Sequence, residues 1–284
     1  MSADQRIARP GAVPAPFTER TPRVAAARRL TSRTGRERAA RFLAEGSQAV
    51  REALDWAERD AGRVFELFAT PEAAERHAEV WQRAGAAGVP TSLITEKAAA
   101  GLSETVTPQG LVAVCGLVDV PLTTALAGSP RLVAVLVEIA DPGNAGTVLR
   151  VADAAGADAV IFAGAAVDPH NGKCVRTTTG SLFHLPVARE RDVDVVVAAC
   201  RDAGLRLVAA DGRADQDLDA ADRAGDLVAP TAWLFGSEAH GLSSEVRAGA
   251  DTALAVPLHG RAESLNLATA AAVCLYATAR AQRA

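Results

Sequence analysis

Five side chains gathered in three short turns are the ones in this chain best suited to chemistry. Asn144 and Arg150 follow the turn Asp141-Pro142-Gly143, Glu238 follows Gly236-Ser237, and Ser264 and Asn266 follow Gly260. Two amides, a guanidinium, a carboxylate and a hydroxyl form a hydrogen-bonding set, fit to hold and orient a hydroxyl and an adjoining anion. The three turns contain no cysteine, so attack on carbon by a thiolate has no candidate there. A guanidinium has a pKa above ~12, which favours Arg150 as an anion-holding and orienting group, with a role as base left open. Glu238 can accept hydrogen bonds from Asn144 or Arg150 and fix their orientation. Ser264 also stands where a helix cap is expected, ahead of apolar residues at helical spacing.

The elements that must position these groups follow from the apolar pattern. Short apolar runs at 132–140, 231–235 and 252–256 each end in one of the Gly-rich turns. Further runs at 159–163 and 207–210 alternate with helical segments, the pattern of a parallel sheet covered on both faces. In such sheets ligands gather beyond the carboxyl ends of the strands, so the three turns should converge on one site. Their irregular backbone leaves N–H and C=O groups in need of a polar partner, and a bound ligand would serve. Asn144 and Arg150 are six positions apart, and both are expected at the same mouth of the sheet, with Gly146 allowing close backbone approach. Upstream, 36–56 reads as helix, 64–69 as extended, 71–86 as helix, 92–94 as extended, 96–102 as a short helix and 111–115 as a strand. The expected division is a Pro-rich basic leader over 1–22, a small α/β unit over 23–119, a linker over 120–130 and a second domain over 131–284. Neither a G-x-G-x-x-G turn after a strand nor a G-x-x-x-x-G-K-S/T loop is present, so dinucleotide and P-loop nucleotide sites are unsupported.

Three stretches carry a family resemblance: Asn144-x-Gly146-x-x-x-Arg150, Leu234-Phe235-Gly236-Ser237-Glu238-x-x-Gly241-Leu242 and Val256-Pro257-x-x-Gly260-x-x-x-Ser264-Leu265-Asn266. In order, they resemble the motifs of the SpoU/TrmH family, S-adenosylmethionine-dependent RNA ribose 2′-O-methyltransferases of the knotted SPOUT class. The stretch from Asp168-Pro169-His170 to His184-Leu185-Pro186 is similar to a further family segment, departing from it at Gly172 and at Thr177-Thr178-Thr179. In the front unit, Arg41-Phe42-Leu43-Ala44-Glu45-Gly46 and Val106-Thr107-Pro108-Gln109-Gly110 resemble the small RNA-binding domain many members carry.

The resemblance implies an α/β fold, a trefoil-knotted parallel-sheet methyltransferase domain preceded by a small α/β RNA-binding domain. It implies Arg150 as the catalytic residue, with Asn144, Glu238, Asn266 and Ser264 about it. S-adenosylmethionine is implied as cofactor, held largely through backbone at Gly236, Val256 and Leu265 with Phe235 and Leu258 beside them. No metal is called for. A homodimer is implied, with the Ala-rich helix from Ser264 onward contributing to the interface. Large-subunit ribosomal RNA is the expected substrate and transfer RNA the alternative. An RNA-binding ribosome-assembly protein without catalysis is a further alternative, opposed by the retention of Asn144, Arg150, Glu238 and Asn266. The Asn–Arg first motif points to methylation of a ribose oxygen, not a base.

Charge and composition fit an RNA partner. The chain carries −4 overall, yet its first 44 residues hold ten Arg against Asp4, Glu19 and Glu37, a surplus of seven positive charges that leaves −11 for the rest. Arg28, Arg29, Arg33, Arg36, Arg38 and Arg41 are the candidates for phosphate contact, and a local basic segment matters more to RNA than net charge. The four widely spaced cysteines fit reduced, buried thiols and lack metal-ligand spacing. No apolar run reaches the ~18 residues of a membrane span and no apolar export core opens the chain, so a cytoplasmic protein is expected.

Overall fold

The computed structural model describes residues 15–60 and 63–284. Residues 1–14, most of the expected leader including Pro10 and Pro14, lie outside the described residues. The front unit runs α1 (Pro22–Arg28), α2 (Arg33–Ala39), β1 (Arg41–Glu45), α3 (Ser47–Asp60), β2 (Val64–Ala69), α4 (Pro71–Arg76), α5 (Ala78–Ala86), β3 (Thr91–Leu93), α6 (Glu96–Leu102) and β4 (Leu111–Gly116). Its sheet has the order β1-β4-β2-β3, antiparallel except for the β2–β3 pair.

Three expectations for this unit are corrected. The leader does not extend to residue 22, because the Phe17 N–H donates to the Leu93 carbonyl at 2.7 Å and its carbonyl accepts from Thr95 at 2.9 Å. The segment read as one helix over 36–56 is helix, strand, helix. Ala40 adopts a left-handed φ of 49° and ends α2, and Phe42, Leu43 and Ala44 are buried in succession along β1. A run buried on both faces carries no alternation to betray a strand. The helix expected over 71–86 breaks at His77 into α4 and α5.

After the short helix α7 (Leu122–Ala125) the second domain alternates β5 (Leu132–Val137), α8 (Pro142–Ala155), β6 (Ala159–Ala163), α9 (Gly172–Thr178), β7 (Val187–Glu190), α10 (Val193–Asp202) and β8 (Arg206–Ala210). It ends with β9 (Gln216–Asp217), α11 (Leu218–Ala224), β10 (Thr231–Phe235), α12 (Ser244–Ala248), β11 (Thr252–Ala255) and α13 (Leu267–Ala281). The seven strands pair in parallel in the order β7-β6-β5-β10-β8-β11-β9. Strands β7 and β9 were not evident from the apolar pattern, since both carry charged or amide side chains. β5, β6 and β10 are buried at every position, as strands covered on two faces must be.

The connecting stretch 120–130 is packed, not loose. Val120 donates to the Val187 carbonyl at 2.8 Å, and Ala125 and Leu126 join the apolar layer with Val133 and Ile161. The two domains share one core: Phe42, Val50 and Leu54 of the front unit cluster with Val175, Leu182 and Phe183 of the second. Phe42 and Trp56 lie 6.0 and 5.7 Å from the Phe183 ring. Ion pairs cross the same seam at Arg36–Asp168 (2.8 Å), Arg176–Glu45 (3.4 Å) and His184–Glu52 (2.9 Å).

Candidate active site

The turns after β5, β10 and β11 meet. Asp141 caps α8, its Oδ1 accepting from the Asn144 N–H at 2.8 Å, while Lys173 of α9 holds its other oxygen at 2.7 Å. This fixes the first helical turn and presents the Asn144 amide at the strand ends. Gly236 is required where it stands: a Cβ there would lie 2.2 Å from the Gly241 backbone, because the loop closes on itself through reciprocal Ser237–Gly241 hydrogen bonds of 3.1 and 2.8 Å. That closure carries Glu238 back over β5.

Asn266, Asn144 and Glu238 form one hydrogen-bonded chain. Asn266 Nδ2 donates to Asn144 Oδ1 at 3.1 Å, and Asn144 Nδ2 donates to Glu238 Oε1 at 2.9 Å. Glu238 also accepts from the N–H groups of Ala140 and Asp141 at 3.2 and 3.3 Å. Partial burial raises the pKa of Glu238, but the bonds from Asn144 and from backbone N–H groups outweigh it and hold the carboxyl below the usual glutamate range. An ionised Glu238 accepts only, so it sets the Asn144 amide, and that amide sets Asn266. The helix cap differs from expectation. Asn266, not Ser264, caps the last helix, accepting from Ala268 and Thr269 at 2.9 and 3.3 Å; Ser264 stands two residues outside, exposed.

This chain of side chains borders a cavity of about 470 Å³, within the range of small-molecule sites. Phe235, Gly236, Val256, Leu258 and Leu265 all line it, together with Asn144, Glu238, Ser264 and Asn266. Phe235 is fully buried and stacked on Trp233 at 6.1 Å, so it offers backbone and a rigid floor. Among the described residues, none of the N–H groups from Leu258 to Leu265 has a hydrogen-bond partner. The sequence reading missed a fourth turn: Asp211 and Gly212 after β8 also border the cavity, with Asp211 held by Arg247 at 2.8 Å. Ala209-Ala210-Asp211-Gly212 has the same strand-then-glycine grammar as the other three and could have been found by it.

Arg150 is placed elsewhere. It is exposed on α8, outside the cavity lining, and lies about 9 Å along the helix from Asn144 at 1.5 Å per residue. A separation of six residues turns the helix through ~600°, so the two side chains leave on different faces. Among the described residues Arg150 has no hydrogen-bond or ion-pair partner. Gly146 allows the close backbone approach expected of it, since a Cβ there would lie 2.1 Å from Thr177 and 2.5 Å from the Cys174 carbonyl. Its role is to let α8 and α9 touch.

The arginines of the front unit divide. Arg28, Arg29, Arg33 and Arg38 are exposed, Arg33 paired with Glu37 at 2.9 Å. Arg41 stacks over the Phe65 ring at 3.6 Å. Arg36 is withdrawn from the phosphate candidates: it is 3% exposed, and its guanidinium is consumed by Asp168 and by the Leu30 and Thr31 carbonyls at 3.0 and 3.1 Å. The cysteines are buried, and burial pushes Cys174, Cys200 and Cys274 up to about 12. Among the described residues no group of three or more His, Cys, Asp or Glu is arranged to hold a metal ion.

Comparison with known proteins identifies the family and the fold. Residues 131–276 match the SpoU rRNA Methylase family, and residues 21–113 match the MRM3-like substrate binding domain. Over 252 residues the chain is 33% identical to the 23S rRNA (guanosine(2553)-2′-O)-methyltransferase RlmP of Bacillus subtilis (strain 168), covering 88% of this chain and 92% of that one. Its fold is similar to the AdoMet-bound rRNA methyltransferase from Sinorhizobium meliloti, with a TM-score of 0.78 and 31% identity over 92% of this chain and 95% of the other. It is also similar to the SpoU methyltransferase AviRb from Streptomyces viridochromogenes in complex with AdoMet, with a TM-score of 0.76 and 31% identity over 92% and 98% of the two chains.

Proposed function

The chain belongs to the SpoU rRNA Methylase family, and on that premise we propose that it transfers a methyl group from S-adenosylmethionine to a ribose 2′-oxygen of 23S ribosomal RNA. The observation that carries this reading is the Asn266–Asn144–Glu238 chain on the wall of a cavity whose rim offers unpaired backbone N–H groups. Bound there, S-adenosylmethionine supplies an electrophilic methyl on a sulfonium. Phe235, Gly236, Val256, Leu258 and Leu265 would hold it through shape and backbone, which accounts for apolar side chains in a polar task.

The residues of this chain then align and stabilise. Asn144 and Asn266, fixed by ionised Glu238, and Ser264 at the rim orient the ribose. Arg150, which lies outside the cavity of its own chain, would serve the cavity of a second copy in a homodimer, holding the neighbouring phosphate and orienting the 2′-hydroxyl, whose proton would pass to solvent. Alignment of this kind is worth up to about 7–11 kcal/mol of barrier. The reading includes a homodimer built on the outward faces of α8 and α13. Its support is that Arg150 shares this side of the molecule with Val273 and Tyr276, which are 39% and 51% exposed, and that Ala154 and Tyr276 line one hollow. The trefoil knot of the family belongs to the same proposal. So does a cytoplasmic setting, with no helix among the described residues long and apolar enough to cross a membrane. Arg28, Arg29, Arg33, Arg38 and Arg41 are proposed to meet RNA phosphates.

Ribose-methylation mapping of 23S rRNA from cells with and without the gene tests the proposal. One 2′-O-methyl mark should vanish with the gene and return when purified protein and S-adenosylmethionine are added to the unmodified RNA. A mark on a base, or a loss confined to tRNA, would overturn it.

A further inference from the structure

A second cleft opens at the same edge of the seven-stranded sheet. It encloses about 730 Å³ between α2 of the front unit and the carboxyl ends of β5, β6 and β7. Its walls are fixed, since the buried Arg36–Asp168 pair and the Arg189–Asp119 pair, both at 2.8 Å, tie the two domains together around it. Most of its charge is already neutralised in these pairs and in Arg33–Glu37. What remains is Glu138, Glu190 and Arg191, and Glu190 Oε1 is occupied by the Asp192 N–H at 3.0 Å.

Glu138 is the carboxylate of the two with neither oxygen occupied. It is exposed, has no hydrogen-bond or ion-pair partner for its carboxylate among the described residues, and stands in a left-handed conformation with φ of 54°. Its side chain lies across Gly164, where a Cβ would come within 2.9 Å of it. The carboxylate therefore projects over the cleft that Arg191 also lines. The cleft disfavours a phosphate in its body, where Glu138 and Glu190 stand, and leaves the exposed Arg191 to meet one, and its carboxylates do not gather into a metal-holding group. It suits a planar neutral group with two adjacent N–H donors. Among nucleobases guanine has that edge, through N1–H and the N2 amino group. Adenine and cytosine offer an amino group beside an acceptor, and uracil flanks its one N–H with carbonyls that a carboxylate repels.

We propose that this cleft is a second RNA subsite, which takes an unpaired guanine near the methylated nucleotide, with Glu138 reading its Watson–Crick edge and Arg191 holding the adjoining phosphate at the rim. Single-stranded RNA is read in this way, by bases splayed out and hydrogen-bonded along their edges. The distance is right for one strand to serve both sites. Glu138 is three residues before Asp141, whose N–H binds Glu238, and β6 lies two strands from β10, about 10 Å. The inference rests on the methyltransferase reading for the identity of the strand, and goes beyond it in assigning a base and the residues that select it.

The test titrates the full chain, saturated with S-adenosylmethionine to block the first cavity, with the 5′-monophosphates of guanosine, adenosine, cytidine and uridine. Guanosine monophosphate should bind at least about tenfold tighter than uridine monophosphate, as a bidentate contact requires. Glu138→Gln should erase that preference and Arg191→Ala should weaken all four nucleotides alike, with cofactor affinity and melting temperature unchanged in both. Equal binding of the four, no measurable binding, or a guanosine preference that survives Glu138→Gln would overturn the subsite. Failure of the wild-type protein to bind S-adenosylmethionine would instead strike the methyltransferase reading, and the nucleotide preference could still be measured.

Discussion

The Asn144 amide donates to Glu238 Oε1 at 2.9 Å, joining two turns that lie 94 positions apart in the chain. Because Glu238 is ionised and accepts three N–H groups, the direction of the hydrogen bonds along the Asn266–Asn144–Glu238 chain descends from it. Glu238→Gln replaces one acceptor oxygen with a donor and leaves at least one of those N–H groups facing it. A hydrogen bond to a charged group is worth about 1.5–3 kcal/mol, so methyl transfer should fall by about 10- to 100-fold while the cofactor Kd moves only a few-fold. Tritium transfer from labelled S-adenosylmethionine and calorimetric titration measure the two quantities separately.

Arg150 carries the opposite expectation for stability. It is exposed and makes no contact that holds the fold, so Arg150→Ala should leave unfolding within about 0.5 kcal/mol of wild type and still abolish transfer. Arg150→Lys should also fail, since a point ammonium cannot reproduce the planar guanidinium fork. A lysine variant with near wild-type activity would remove Arg150 from the chemistry.

What could be read from the sequence, and what could not, separates along a physical line. The three turns were legible because strand ends, glycines and polar side chains are local signals, and Asn144, Glu238 and Asn266 do meet. Ser264 and Asn266 were confused as caps because either side chain can accept from a helix N-terminus, and only the path of the loop decides. Arg36 was read as solvent-facing because its partner, Asp168, is 132 positions away, a distance no periodicity reports. The close backbone approach expected at Gly146 is there, between α8 and α9, whereas Arg150, expected at the mouth of the sheet, is sent to another face by the 3.6-residue periodicity. The run Phe42-Leu43-Ala44 hid a strand for the same reason that it is buried: it is apolar on both sides.

The shared core and the Arg36–Asp168 pair bear on dissection of the protein. Removing one partner of a buried pair costs about 3–5 kcal/mol, because the other charge is left buried and unpaired. Arg36→Ala should therefore destabilise by that amount, whereas Arg38→Ala should be near neutral. Deleting residues 1–119 would also uncover Val175, Leu182 and Phe183, so the isolated second domain should be insoluble or partly unfolded. The double variant Arg36→Met with Asp168→Leu should recover only part of the loss, because Asp168 Oδ1 also accepts from the buried His170 N–H at 3.0 Å and Arg36 also serves the Leu30 and Thr31 carbonyls. Urea unfolding of the variants checks each value, and a well-folded, soluble deletion protein would contradict the single core.

His184 makes the seam between the domains sensitive to pH. Its Nδ1 lies 2.7 Å from Asp153 of α8 and its Nε2 lies 2.9 Å from Glu52 of α3. Burial lowers its pKa, but the hydrogen bonds and charges of Glu52 and Asp153 outweigh burial and raise it above the ordinary histidine value. Only the imidazolium can donate to both carboxylates. A raised folded-state pKa contributes stability that is fully present below the unfolded value of about 6.5 and is lost as pH rises through the folded value. The histidine is about one third exposed, so the contribution should be at most about 1 kcal/mol. His184→Asn should then be less stable than wild type by that margin at pH 5.5, and the gap should close by pH 8.5 or above. Urea denaturation at the two pH values measures it, and a gap that is constant or widens with pH would show that the bridge is not held by a protonated ring.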